Sequence, residues 1–395
     1  MLASAERISS LGATSTKSRT RRVLFIQATN PAAYPPLIHA SMLMAEAGWE
    51  VTFLSAPIAG DVLTLNAHPR IKNSSVRLRP SHVMGRSDYA LYSAAAARLA
   101  IRQRPQFVYA SDPLGAGPGM LAARLARAAL IYHEHDSPSP GVLHPVVARL
   151  RATAARSARL IVFPNTERAR LAQNDLHFSD DRVRIIWNVP RRCELVPSTA
   201  PVEPPLIVYY HGSISPERMP ESVAVAVRQM AGKVRLRIAG YEAPGAAGYI
   251  RHLLDDDNNT RDSALIRYIG SMPSRRELFL AAASAHVGMA LMPLSSTDIN
   301  MRNMTGASNK PFDYMAVGLT LLVSDRPDWN EMFVKPGYAK AVDPTSVKSL
   351  VAAFEWISAH QDERRVMAMR ARHKLETDWN YETAFAPLLA AMSDD

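Results

Sequence analysis

A single cysteine, Cys193, occurs among 395 residues, which excludes an intramolecular disulfide and a zinc site built on cysteine thiolates and fits a reducing compartment. No apolar run is long enough to cross a bilayer, and the opening residues lack the central apolar region of a secretory signal. A cytoplasmic protein is expected, free or at the inner face of the plasma membrane. The first apolar strand is not followed by G-x-G-x-x-G, which disfavours a dehydrogenase. No fixed short period recurs, and apart from an Ala/Arg bias no tract is of low complexity.

What is present points to a packed chain, with 47% hydrophobic and 21% charged residues, too long for one ordinary core and most simply read as two domains. The net charge of +10 favours phosphates, nucleic acid or an anionic membrane without choosing among them. Residues 1–20, rich in Ser, Thr and Arg, read as a disordered tail. Arg22 to Gln27 reads as a buried strand, Leu37 to Gly48 as a helix and Glu50 to Leu54 as a second strand, a βαβ opening that needs a parallel sheet. Phe107 to Ala110 continues the series, followed by a Gly-punctuated turn and a helix from Gly119 to Ala129. Further strands are expected at Leu130 to Tyr132, Leu160 to Phe163 and Arg184 to Ile186.

A Pro-rich stretch from Pro190 to Pro205 marks a linker, after which the alternation restarts at Leu206 to Tyr210. Strands are then expected at Val234 to Ala239, Ile266 to Ile269, Val287 to Leu291 and Leu319 to Val323, with a helix from Pro220 to Ala231. The economical account is α/β, with two doubly wound, Rossmann-like halves over residues 21–200 and 201–378 and a terminal segment, 379–395.

Ligands in such sheets sit beyond the carboxyl ends of the strands. After Tyr210 come His211, Gly212 and Ser213, with Arg218 at the start of the next helix, and after Ile238 come Ala239 and Gly240; Ser271 and Met272 follow Gly270. Ser308-Asn309-Lys310-Pro311-Phe312-Asp313-Tyr314-Met315-Ala316-Val317-Gly318 reads as a loop feeding a short helix. Its amides and helix N-terminus suit a phosphate, Lys310 adds positive charge, and Asp313 is placed to accept ribose hydroxyls. Together these residues put Gly turns and cations along one edge of the second half, as a nucleotide diphosphate requires.

On these residues the chain resembles a retaining glycosyltransferase of the GT-B fold, close to the family 4 group. The resemblance runs from about Arg22 to the C-terminus and rests on Tyr210–Arg218, Ile269–Leu278 and Asn309–Asp325. It implies Asp313 on the ribose, Arg218 on the diphosphate, and Ser308, Asn309 and Lys310 around phosphates and donor sugar. It also implies a cleft between the domains and a C-terminal helix, Trp379 through Met392, crossing back onto the first domain. The donor would be a nucleotide-diphosphate sugar, the acceptor a glycan or lipid-linked acceptor of bacterial surface polysaccharide synthesis, with no metal or other cofactor and no nucleic acid. A nucleotide-sugar 2-epimerase and a non-catalytic sugar-nucleotide binding subunit share the architecture.

Three departures bear on the site. The family's first Glu of a spaced pair falls on Thr305, the Arg expected after the turn Gly is Ser213, and Asn30-Pro31-Ala32-Ala33-Tyr34 replaces a Gly-Gly loop, with Asn30 and Tyr34 as candidate sugar contacts. Lys310 could supply the missing cation. In Tyr132-His133-Glu134-His135-Asp136 the two imidazoles are expected to diverge and not to share a metal. The resemblance aligns His135 with the cleft histidine that contacts the transferred sugar and Asp136 with its acidic neighbour; His133 is the competing imidazole. Arg149, Arg156 and Arg159 are expected on one face of a helix from Val146 to Leu160, either solvated or against an anionic membrane.

Overall fold

The computed structural model describes residues 20–56, 63–65, 67–77, 84–139, 141–202, 204–254 and 264–393. All but Thr20 of the expected tail lies outside them. The first seven strands are β1 (Arg22–Gln27), β2 (Glu50–Ser55), β3 (Ile71–Ser75), β4 (Phe107–Ser111), β5 (Ala129–His133), β6 (Leu160–Phe163) and β7 (Val183–Ile185). They form one parallel sheet in the order β3-β2-β1-β4-β5-β6-β7. Six more, β8 (Leu206–Ile214), β9 (Val234–Glu242), β10 (Ile266–Tyr268), β11 (Val287–Ala290), β12 (Thr320–Ser324) and β13 (Ala339–Val342), form a second, ordered β10-β9-β8-β11-β12-β13.

Helices cover both faces of each sheet, which is why the central strands are apolar without alternation: Val23, Leu24, Phe25 and Ile26 are all buried, as are Leu321, Leu322 and Val323. The strand order reverses between β1 and β4 and between β8 and β11, and the cleft at those carboxyl ends is lined by residues of both domains. Two doubly wound α/β domains facing across a cleft are the expected GT-B arrangement.

The structure corrects several boundaries. The glycines after β4 do not make a turn; the helix starts at Asp112 and runs through them to Ala126. They are there because the helix presses onto the sheet, where a Cβ on Gly119 would come within 2.4 Å of Ala110 Cβ and one on Gly115 within 2.9 Å of the Ile26 carbonyl. β8 does not stop at Tyr210 but continues through Gly212 and Ser213, and Arg218 lies in the turn before the helix Glu221–Gln229. Likewise β5 reaches His133 before the chain turns. Strand β3 and the helix Arg86–Gln103 were not expected at all.

The Pro-rich linker is fastened to the second domain. Val196 N–H donates to the Ala316 carbonyl (3.3 Å) and Thr199 N–H to that of Ala283 (2.8 Å). Arg191 grips Glu46 of the first domain (2.8 and 3.0 Å) and Glu382 of the last helix (3.0 Å). That last helix, Tyr381–Ser393, begins after Trp379, whose indole packs with Trp187, Phe312, Phe333 and Tyr338. Tyr381 Oη donates to the Pro36 carbonyl at 2.9 Å, seating the helix on the first domain.

Candidate active site

The cleft has a volume of about 1560 Å³. Its second-domain wall is built where β8 and β9 run side by side with Gly212 opposite Gly240. Gly240 sits at φ +129°, and a Cβ there would fall 1.9 Å from the Gly212 oxygen, so the two backbones can meet only with a glycine at 240. Ser271 Oγ and Tyr268 Oη both donate to the Gly240 carbonyl (2.9 and 2.6 Å), which fixes the loop carrying Ser271 and Met272.

Against this edge stands the helix Asn309–Ala316. Its N-cap, Ser308, makes no side-chain bond to the first turn, and the buried Ser308 Oγ and Asn309 Oδ1 are without partners in the ligand-free protein. Lys310, partly buried, lies 5.5 Å from the Tyr210 ring centroid and beside Gly212, with no hydrogen bond or ion pair among the described residues. Burial, reinforced by the nearby Arg218 guanidinium, pulls the Lys310 ammonium down to about 7. Arg218 donates to Ser213 Oγ and to Met301 Sδ (3.7 Å), has a buried Nε without an acceptor, and meets no carboxylate among the described residues. Two cations thus converge at a glycine edge and a helix N-terminus with no direct ion pair among the described residues, the ionised Asp313 one turn further along the helix offsetting part of the Lys310 charge.

Asp313 is buried one turn into the same helix and ties the wall to the other domain. Arg275 Nη2 donates to its Oδ1 (2.9 Å), and His211 Nε2 faces its Oδ2 (3.2 Å). Burial would raise this carboxyl, but Arg275 and His211 hold it below the usual range, so it is ionised. Arg275 also donates to Glu194 of the linker (2.7 Å), and Glu194 contacts His39 of the first domain at 2.9 Å. A carboxylate with about four lone-pair directions keeps acceptor capacity beyond these two partners.

On the first-domain side His135 and Tyr34 face the cleft with ring centroids 5.4 Å apart. Both imidazole nitrogens of His135 are buried and unpartnered, and burial, aided by Arg168, pushes the ring down to about 3, so it is neutral at ordinary pH. Its backbone N–H is held by Asp112 (2.9 Å). The two imidazoles do not diverge: their centroids are 3.8 Å apart, across the bend by which the chain leaves β5 at His133. His133 is behind, with Nδ1 2.7 Å from Tyr109 Oη, and does not line the cleft.

Of the residues singled out from sequence, the cleft brings together Tyr34, His135, Asp136, Gly212, Arg218, Gly240, Ser271, Met272, Ser308, Asn309, Lys310 and Asp313. Asn30 and Ser213 are absent from its walls: Asn30 caps the turn Pro31–Ala33 and donates to the Leu63 carbonyl (3.0 Å), and Ser213 supports Arg218. Thr305, standing where a Glu was expected, bonds Asp328 (2.6 Å). The shared basic face is also corrected. The helix ends at Ser157, so Arg159 lies beyond it, and the buried Arg151 forks onto Glu134 (2.6 and 2.7 Å). Arg168, Arg275 and Glu194 were missed. Arg168 follows β6 at the same carboxyl edge, so interrogating that strand end as the others were would have raised it.

Residues 40–188 match a domain model described as Glycosyl transferase 4-like, and residues 215–390 match one described as Glycosyl transferase-like. Sucrose-phosphate synthase of Thermosynechococcus elongatus superposes with TM-score 0.70 at 13% identity, over 95% of this chain and 98% of that one. Anabaena HepE, solved with UDP and glucose, gives 0.69 at 14% identity over 95% and 100%. A UDP-N-acetylglucosamine 2-epimerase gives 0.59 at 13% identity over 95% and 98%. No protein of curated function matches the sequence. The fold and the matched halves define a GT-B glycosyltransferase. The chain belongs to the group 1 glycosyltransferases, with a family-4-like first domain.

Proposed function

We propose that the protein moves a hexose-type sugar from a nucleotide diphosphate to a glycan or lipid-linked glycan, with retention at the transferred carbon. The observation that carries this reading is the pair of cations without a direct ion-pair partner among the described residues, Lys310 and Arg218, beside the Gly212 edge and the helix amides after Ser308. The bond between sugar C1 and the diphosphate oxygen breaks with its electron pair going to that oxygen, and both cations neutralise the charge that grows there. The acceptor oxygen attacks C1 from the same face, and its proton passes to the departing phosphate oxygen. Neutral His135 hydrogen-bonds a sugar hydroxyl and orients the reactants without serving as an acid.

HepE, of similar fold, binds UDP and glucose, which makes uridine diphosphate sugars the first donors to screen. A donor at 100 times its Kd should stabilise the protein by about 2.7 kcal/mol, and acceptor-dependent release of the nucleotide diphosphate then tests transfer. A 2-epimerised product from donor alone, or binding with no transfer to any glycan acceptor, would overturn the reading.

Asp313 is assigned to the ribose. Asp313→Asn removes the charge while keeping size, so nucleotide affinity should fall by about 1.5–3 kcal/mol in calorimetric titration. Equal discrimination against a 2′,3′-dideoxy nucleotide by variant and wild type would remove Asp313 from that role.

The acceptor side faces an anionic membrane on this reading. The helices Arg86–Gln103 and Asp112–Ala126 pack side by side and expose Leu91, Ile101, Leu121 and Leu125 among Arg98, Arg102, Arg124 and Arg127. Each basic residue near such a surface is worth about 1 kcal/mol. Flotation with anionic vesicles, abolished by high salt, is the expected behaviour, and flotation unaffected by lipid charge would contradict it.

A further inference from the structure

Arg168 sits in the first turn of the first-domain helix Thr166–Leu176, and its side chain is 2% exposed. Every one of its N–H groups has an acceptor. Nε donates to the Asn303 carbonyl (3.0 Å), and Nη1 to the His135 carbonyl (2.7 Å) and the Asp136 carboxylate (3.0 Å). Nη2 donates to the Asn300 carbonyl (3.1 Å) and the Met304 sulfur (3.5 Å). Two acceptors belong to the segment carrying the cleft histidine and three to a loop of the opposite domain. Only a planar fork with about five donors can make this set; a lysine presents three from one point.

The loop it grips is itself well defined. Asp298 caps the short helix Ile299–Arg302, and Asn300 exchanges hydrogen bonds with the Ser137 backbone in both directions (2.9 and 3.0 Å). Asn165 adds bonds to the Asn303 and Thr305 carbonyls (2.9 and 2.8 Å). In the same loop Met301 places its sulfur 3.7 Å from Arg218 Nη2. One guanidinium therefore holds the backbone of His135 and the segment that touches the phosphate arginine. When the domains part, three of its acceptors leave together, and a buried charge loses most of its partners at once.

We propose that Arg168 is a positioning residue that latches the two domains and sets His135 in register with Arg218. The proposal rests on the transferase reading for its kinetic consequence, but the latch itself does not. In the full chain, Arg168→Ala should lower kcat about 100-fold while UDP affinity, a property of the second domain, stays within about threefold. Arg168→Lys, keeping charge but not the fork, should recover no more than about tenfold of that loss. Because Arg168 acts through His135, adding Arg168→Ala to His135→Ala should cost less than about threefold further. Small-angle scattering reads the latch without any substrate: both Arg168 variants should show a radius of gyration shifted upward from wild type. Should wild type turn over no nucleotide sugar, the transferase reading fails and the scattering alone decides the latch. Full additivity in the double variant, or an unshifted radius in folded Arg168→Lys, would overturn the proposal; the lysine variant carries the test if the alanine variant does not fold.

Discussion

Lys310→Ala and Arg218→Ala should each reduce turnover about 100- to 1000-fold while weakening donor binding far less. Neither cation is bonded to a carboxylate among the described residues, so each is available to the proposed diphosphate, whose charge is larger in the transition state than in the bound donor. An interaction that strengthens as the bond breaks appears in kcat. A rise in KM alone, with turnover intact, would show that they only bind. Lys310 also makes donor binding depend on pH. With its ammonium near 7, the protein must take up a proton to bind a diphosphate above that pH. Affinity should fall by up to about tenfold per pH unit above 7, and Lys310→Met should flatten the profile. Because the folded value lies below the ordinary 10.5, the ligand-free fold holds fewer protons than the unfolded chain between 7 and 10.5. Stability from this group therefore rises with pH across that window, and the same variant should be more stable than wild type below pH 7.

The two sheets were legible because a parallel strand buried on both faces is a bounded aliphatic run, and Val23 to Ile26 or Leu321 to Val323 can hardly be read otherwise. The edge strand β3, Ile-Lys-Asn-Ser-Ser, has one apolar residue and is paired on one side only, so nothing in it announces a strand. Glycines misled at Asp112–Ala126 because a helix lying tight on a sheet and a turn both call for the missing Cβ, and only the neighbouring Ala110 and Ile26 distinguish them. On the second-domain wall of the cleft, Lys310, Arg218 and Asp313 lie within short motifs whose spacing carries meaning. Arg168, Arg275 and Glu194 instead acquire their roles from partners more than thirty residues away, such as Asn303 and Asp313, and no local pattern encodes such contacts.

His135→Ala should abolish most transfer, by about 100-fold or more, and leave UDP binding nearly unchanged. The imidazole faces the cleft beside Tyr34 with both nitrogens free, whereas the proposed donor wall is made of second-domain residues. Since the ring is neutral down to about pH 3, the wild-type rate should show no inflection from His135 in the neutral range, and its role is to place a hydroxyl. His133→Ala separates position from function. That side chain accepts or donates at Tyr109 Oη inside the core and packs against His135 with the rings tilted by 44°, so its loss leaves a buried hydroxyl unsatisfied and removes packing beneath the cleft imidazole. The expected result is a stability loss of about 1–3 kcal/mol with a milder fall in activity. Equal activity losses in the two variants would mean that the imidazoles act as one unit, and a His135 variant unable to bind UDP would move the donor site across the cleft.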